Sequence, residues 1–306
     1  MKQYLKKLLG ITKTANFLRE ELEKVKVLSS QPMVNYIKGN AGAFKSIQEA
    51  EFSAFSQWGD DGIIQYLINT LDIKNQTFIE FGVQNYLEAN TRFLLINNNW
   101  KGLIIDGSEK NINYIKTDSI SWKYSITSIA QFITKDNLNT LIKNAGFEGE
   151  IGILHIDVDG NDYWFWENLN VVNPEIVIME YNSLFGSKAT ISVPYKDDFF
   201  VTNEHYSNLY FGTSLNALNH LAEQKGYTLV GSNSHGNNAY FVRNDKLKSI
   251  NPCTVEEAYV KCNFRQNRNQ NGQLTLVDDI IMIKNCKDLP VVNVVTSEVQ
   301  KLEFYL

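Results

Sequence analysis

His155, Asp157 and Asp159 stand at alternate positions near the end of an apolar run, Ile151-Gly-Ile-Leu-His-Ile-Asp-Val-Asp-Gly-Asn-Asp162. Side chains of a strand alternate between its faces, so these three point the same way while Ile156 and Val158 face the opposite layer. A second run, Glu175-Ile-Val-Ile-Met-Glu-Tyr-Asn182, ends in a carboxylate and an amide. Asp157, Asp159, Asp162, Glu180 and Asn182 together offer oxygen ligands to a divalent cation such as magnesium. His155 would add a nitrogen ligand, which favours manganese or iron. Two plainer readings compete. Acids after a strand can hydrogen-bond to the first amides of the next helix, and a histidine inside a buried strand can be a satisfied core residue.

Such a site needs strands that converge. Thr77-Phe-Ile-Glu-Phe-Gly82 and Gly102-Leu-Ile-Ile-Asp106 are two further apolar runs. With 151–158 and 176–181 they make four whose C-terminal ends are acidic or glycine-rich. In an open α/β sheet the carboxyl ends of the strands form the binding crevice, so Glu80, Asp106, Asp157 and Glu180 are expected around one pocket. Helical periodicity marks 56–71, 88–97, 110–116, 136–145 and the tryptophan-rich stretch from Asn161, with a further strand at 125–132. Thr213 or Ser214 caps a helix to Lys225, and strands at 227–231 and 239–242 follow, joined by a turn-rich loop. Alternating strands and helices specify an α/β fold with a doubly wound, mostly parallel, Rossmann-like sheet.

The turn at Gly82 allows a backbone to approach a cofactor, where the Glu80 carboxylate could receive an ammonium group. Asp106 follows about two dozen residues later, the spacing at which an acid accepts two ribose hydroxyls. A dinucleotide would ask for further glycines to seat its pyrophosphate, whereas this turn reads Gly82-Val-Gln-Asn-Tyr-Leu87. His235, on the loop before the last strand, is the candidate general base beside Asp157 and Asp159. The segment 183–212 exceeds ordinary connections and is expected to bind substrate, with Lys188, Tyr195 and Tyr206, beside His155, as contacts. Tyr163, Trp164 and Trp166 are expected to pack against the sheet, and Gln57 and Trp58 either to cover the cofactor or to cap a helix.

The chain has 306 residues, 43% of them hydrophobic and 21% charged, which suits one α/β domain with extensions. We divide it into an N-terminal helical extension (1–55), a catalytic domain (56–250) and a C-terminal extension (251–306). A net charge of −5 argues against a nucleic-acid partner. Cys253, Cys262 and Cys286 lack metal or redox spacing and read as reduced thiols. No apolar run is long enough for a membrane span, so a cytoplasmic location is expected, with Lys2, Lys6 and Lys7 leaving some case for contact with a membrane surface. Residues 14–27 read as an amphipathic helix, with Phe17, Leu18, Leu22 and Val25 packing on the domain or, in a homodimer, on a second subunit. Residues 31–55 read as a connection, and Arg265–Asn271 as an exposed loop.

Phe78-Ile-Glu-Phe-Gly-Val83, Ile104-Ile-Asp-Gly107 and the acidic ends of the next two strands resemble class I S-adenosylmethionine-dependent methyltransferases, especially the group called FkbM-like. Gln57-Trp-Gly-Asp-Asp-Gly62 and Gly160-Asn-Asp-Tyr-Trp-Phe-Trp166 are similar to members found near bacterial surface-polysaccharide genes. The likeness spans 56–243; the missing later glycines after Gly82 depart from the fullest family pattern. It implies seven strands, five of them crossover-linked before a closing hairpin, and S-adenosylmethionine bound by Gln57, Glu80, Gly82, Asn90, Asp106, Gly107 and Asp157. It also implies, as in magnesium-dependent O-methyltransferases, a cation on Asp157, Glu180 and Asn182 that orients and acidifies a hydroxyl. The expected substrate is a small sugar or nucleotide-activated sugar for a capsule or other surface glycan. Two alternatives stand beside it: a nicotinamide-dependent sugar oxidoreductase, and a non-catalytic sugar-binding subunit on the same fold.

Overall fold

The computed structural model describes residues 2–71, 73–247, 250–262 and 267–306, with side-chain detail from residue 14 onward. The side chains of Lys2, Lys6 and Lys7 therefore lie outside it. The chain opens with helix α1 (Lys2–Asn40), longer at both ends than the expected 14–27 and running well into the stretch read as a connection. The packed face explains the extension, since Ser30, Val34 and Ile37 recur at helical spacing and are all buried. Pro32 lies inside the helix and removes the amide that would bond residue 28. Side chains help satisfy the preceding turn, Ser30 Oγ donating to Lys26 O at 2.8 Å and Gln31 Nε2 to Val27 O at 3.2 Å. Phe17, Leu18, Leu22 and Val25 do not pack on the domain; all four are exposed.

Helix α2 (Asp60–Thr70) leads into β1 (Thr77–Phe81), α3 (Arg92–Asn98), β2 (Lys101–Asp106), α4 (Glu109–Thr117), α5 (Ile120–Lys123) and β3 (Ile126–Ala130). Then come α6 (Leu138–Asn144), β4 (Gly149–Ile156), α7 (Asp162–Asn168) and β5 (Val172–Glu180). The insertion carries β6 (Ile191–Ser192) and α8 (Val201–Glu204), and is followed by α9 (Leu215–Lys225) and the hairpin β7 (Tyr227–Ser232) and β8 (Asn238–Arg243). The tail holds α10 (Val255–Ala258), α11 (Asp279–Met282), β9 (Pro290–Asn293) and β10 (Val299–Lys301).

Seven strands pair in the order β3-β2-β1-β4-β5-β8-β7. β1 to β5 are parallel, with Phe78 opposite both Gly102 and Ile153, and β8 runs antiparallel to β5 and β7. This is the doubly wound, Rossmann-like, mostly parallel sheet that the alternation of elements specifies. Both faces are buried: Ile79, Phe81, Leu154 and Val177 pack under α6, α7 and α9, and Phe78, Ile104, Ile153 and Ile178 under α2 and α4. Strand alternation then sets Glu80, His155 and Glu180 on the second face, at the ends of three neighbouring strands.

The insertion and the tail share a third core, in which Phe185, Ile191, Leu209 and Phe211 meet Ile283, Val291 and Leu302. β6 joins β9 and β10 in a small antiparallel sheet. Strands of two, four and three residues are too short for an alternation to be read. Of the expected loop at 265–271, Arg265 and Gln266 lie outside the described residues. Asn267 is buried rather than exposed and donates to Val277 O at 2.8 Å. Among the described residues no helix is long and apolar enough to cross a membrane.

Candidate active site

The carboxyl ends of β1, β2, β4 and β5 open into one crevice of about 630 Å³, lined by Gly82, Asp106, Gly107, Asp157, Asp159 and Glu180 among others. A smaller polar pocket of about 130 Å³ shares Gln57, Gly82, Asp157 and Asn237 with it and is bounded by Glu80, Asn90 and His155. Three of the four acids expected to converge therefore line the crevice, and Glu80 lines the adjoining pocket.

Gly82 ends β1 at φ +74, a conformation that favours a residue without Cβ. Asp106, nearly buried at the end of β2, ties two loops together. Its Oδ2 accepts from Gln84 N at 2.7 Å, and its Oδ1 from Ser108 N at 2.8 Å and Asn111 Nδ2 at 3.3 Å. Gln84 and Tyr86 also have positive φ, so the turn after Gly82 does without the later glycines by straining other residues.

Glu80 is committed elsewhere than expected. Its Oε1 accepts from Asn90 N at 3.1 Å and from His155 Nδ1 at 2.8 Å, and its Oε2 from Thr91 N at 3.2 Å and from the Thr91 hydroxyl. A buried carboxylate thus holds the amides that lead into α3. His155 is buried with both ring nitrogens engaged, Nε2 lying 3.2 Å from Asn90 Nδ2, which is the plainer reading of that histidine.

The acids after β4 divide into two kinds. Asp162, the first residue of α7, does not cap that helix but fixes the loop before it: its Oδ1 accepts from Val158 N at 2.8 Å and its Oδ2 from Gly160 N at 2.9 Å. Asp157, Asp159 and Glu180 instead face one another, each offering an oxygen within 4.8 Å of the others. Glu180 Oε2 is buried with no hydrogen-bond partner among the described residues. Asp159 sits at φ +56 in the loop that Asp162 fixes, a strained conformation for a residue with a side chain. Desolvation, then the charge of Asp159, pushes the Asp157 carboxyl up to about 8. Burial followed by the charges of Asp157, Asp159 and Asp162 holds Glu180 well above the ordinary carboxylate range. Asn182 belongs to a different set of bonds. Its Nδ2 donates to Leu209 O and Phe211 O at 2.9 and 3.1 Å, while its Oδ1 accepts from Leu184 N at 3.1 Å.

The segment before α2 reaches the crevice through two carboxylates. Asp61 Oδ2 accepts from the amides of Ala54, Phe55 and Ser56 at 2.7 to 2.8 Å. Asp60 receives Asn233 Nδ2, Asn238 Nδ2 and the Tyr240 hydroxyl, binding this segment to the β7–β8 hairpin. Gln57 and Asn237 thereby line the crevice from opposite regions of the sequence. His235 does not line it: the ring stacks on Trp58, with centroids 4.0 Å apart.

The insertion contributes residues other than those expected. The Lys188 side chain is exposed outside the crevice. The Tyr195 hydroxyl accepts from Lys135 N and donates to Asp197, and Tyr206 lies against His205. Phe199, Phe200 and Val201 line the crevice instead, and Phe199 covers Gly160, where an added Cβ would come within 2.2 Å of the ring. Phe132 and Ile133, just past β3, flank the Asp106 end. Phe132 carried a legible signal, an aromatic at the carboxyl end of a strand; Asn237 carried none beyond its loop.

No family model matches the chain, and no curated protein does. Among solved structures it is similar to the O-methyltransferase from Bacillus cereus in complex with SAH, at 13% identity over 73% of this chain and 99% of that one, with a TM-score of 0.41. It is also similar to an S-adenosylmethionine-dependent methyltransferase from Clostridium acetobutylicum, at 11% identity over 60% of this chain and 90% of that one, with a TM-score of 0.39. A SAM-dependent methyltransferase from Aquifex aeolicus matches at 12% identity over 57% of this chain and 85% of that one, with a TM-score of 0.32.

Proposed function

We propose that the chain is an S-adenosylmethionine-dependent O-methyltransferase that acts on a sugar hydroxyl, for a bacterial capsule or other surface glycan. The observation that carries the reading is one crevice shared by a glycine turn with Asp106 beside it and by three carboxylates that face one another. Asp106 would accept the ribose hydroxyls, Phe132 and Ile133 would flank the base, and Gln57 and Asn90 would meet the amino-acid end in the smaller pocket. When bound, S-adenosylmethionine supplies an electrophilic methyl group on a sulfonium centre.

The chain's own part is to aim the acceptor hydroxyl and to remove its proton as the oxygen–carbon bond forms and the carbon–sulfur bond breaks, its electron pair leaving on sulfur as a neutral thioether. Asp159, the exposed member of the trio, is the proton acceptor on this reading, its carboxyl raised above the ordinary value by desolvation. The orphaned Glu180 Oε2 and the mutual repulsion of the trio fit a divalent cation held by Asp157, Asp159 and Glu180. Such an ion would lower the pKa of the acceptor hydroxyl.

Among the described residues neither Lys nor Arg lines the crevice, which suits a neutral sugar better than the diphosphate of a nucleotide-activated one. The nicotinamide reading is disfavoured because Glu80 already takes the Asn90 and Thr91 amides that a pyrophosphate would need at the start of α3. A binding subunit without chemistry would have no use for the crowded carboxylates. The test is calorimetric titration with S-adenosylmethionine, then mass spectrometry of sugar acceptors for the gain of one methyl group. Failure of the intact chain to bind the cofactor would remove the proposal.

A further inference from the structure

Helix α1 turns two faces in different directions. One is anchored to the domain: Arg19 pairs with Asp118 at 2.8 Å, Glu23 with Arg92 at 2.8 Å, and Val34 and Ile37 are buried. The other carries Leu18 at 60% exposure, Leu22 at 57% and Val25 at 57%, among the most exposed large apolar side chains described. A surface helix of a monomer has no reason to hold three such residues in a row at spacings of four and three.

The spacing is a heptad seam. Ala15 and Leu22 occupy one core position and Leu18 and Val25 the other, and in the sequence the same seven-residue repeat runs back through Leu8 and through Ile11 and Tyr4. That gives about three heptads without a polar interruption, enough for a two-stranded coiled coil. The seam stops at Ser29 and Pro32, as the helix comes down onto the domain through Ser30, Val34 and Ile37.

We propose that this seam pairs with the α1 of a second copy of the chain, in parallel and in register. The flanking charges choose both partner and direction. Parallel pairing sets Glu21 beside Lys26 of the second copy, a favourable contact repeated by the two-fold axis, whereas antiparallel pairing would bring Arg19 toward the other copy's Lys26. Beside the seam Glu21, Lys24 and Lys26 mix signs, whereas Lys2, Lys6, Lys7 and Lys13 make the first turns basic, so the vesicle arm of the test separates pairing from contact with an anionic membrane. The pairing uses no crevice residue and stands or falls apart from the methyl-transfer reading.

The test is sedimentation of the full chain across concentrations from about 1 to 100 μM, the range in which short coiled coils assemble. A dimer is expected, and Leu18→Glu combined with Leu22→Glu should give a monomer with unchanged far-ultraviolet circular dichroism, since neither side chain supports the domain. Leu22→Cys should cross-link rapidly to a covalent dimer under mild oxidation, and Lys24→Cys, off the seam, should not. In a charge series Lys26→Glu should weaken the dimer and the added Glu21→Lys should restore it. A monomeric wild-type chain, a dimer indifferent to the Leu18 and Leu22 changes, or a monomer that sediments with anionic vesicles would each overturn the pairing.

Discussion

A Cβ at Gly82 would lie 1.7 Å from the carbonyl oxygen of Asp157. The turn that would carry the cofactor and the loop that carries the carboxylates are therefore in backbone contact, and neither can shift without the other. Any side chain at 82 must push Asp157 away while adopting φ +74.

Gly82→Ala is accordingly expected to lower stability by about 2 to 4 kcal/mol, summing left-handed strain and overpacking. It should also weaken S-adenosylmethionine binding at least tenfold, because the displaced Asp157 backbone lines both pockets. Denaturant unfolding and calorimetric titration measure the two effects. Cofactor affinity within twofold of wild type would mean that the turn does not form the cofactor site.

Asp106 separates positioning from binding. Its two oxygens hold Gln84 N and Ser108 N, and on our reading they also face the ribose. Asp106→Asn keeps one acceptor oxygen and removes the charge. We expect cofactor affinity to fall by about 1.5 to 3 kcal/mol, the worth of hydrogen bonds to a charged group, with a smaller loss of thermal stability. A drop in stability without a drop in affinity would assign Asp106 to the loops alone.

Much of this arrangement could be read before any coordinates, for identifiable reasons. β1, β2, β4 and β5 are short apolar runs ending in Glu80, Asp106, Asp157 and Glu180, and strand ends in a parallel sheet must converge. What alternation cannot tell is how a polar group is used. Glu80 and Asp162 look like Asp157 and Glu180 in sequence, yet the first two have their oxygens taken by backbone amides. His235 was legible as a loop residue near the crevice, but stacking on Trp58 is a contact across most of the chain. Likewise α1 was legible only over its amphipathic middle. Its turns after residue 27 are fixed by burial of Val34 and Ile37 against residues far along the sequence, which overrides Pro32.

The carboxylate trio predicts a pH dependence of defined sign. Asp157, raised to about 8, is mainly protonated at pH 7, and its folded pKa stands above its unfolded value. The stability it contributes is therefore full below the ordinary carboxylate range and is lost as pH rises toward 8. In excess chelator the melting temperature should fall between pH 5 and 8, and Asp157→Asn should flatten that slope. Magnesium or manganese should restore the loss, bind more tightly as pH rises, and release protons on binding at pH 7. A cation titration with no heat, no proton release and no thermal shift would remove the metal from the mechanism.

Glu80 supplies the sharpest separation of structure from chemistry. If its carboxylate received the cofactor's ammonium group, Glu80→Gln would lose affinity in a protein otherwise unchanged. With both oxygens given to Asn90, Thr91 and His155, the opposite pattern is expected. Glu80→Gln puts an amide donor where Thr91 already donates, and should lower stability by about 1 to 3 kcal/mol. Glu80→Ala leaves the Asn90 and Thr91 amides and His155 buried without their acceptor, and should lower it by about 3 kcal/mol or more. For the folded fraction of Glu80→Gln, which keeps an acceptor for the Asn90 amide, the S-adenosylmethionine dissociation constant should stay within about threefold of wild type, since that ratio corresponds to less than one ordinary hydrogen bond. A stable Glu80→Gln protein with affinity lowered tenfold or more would instead make this carboxylate a direct ligand of the cofactor, and would require its side chain to turn away from α3 when the cofactor binds.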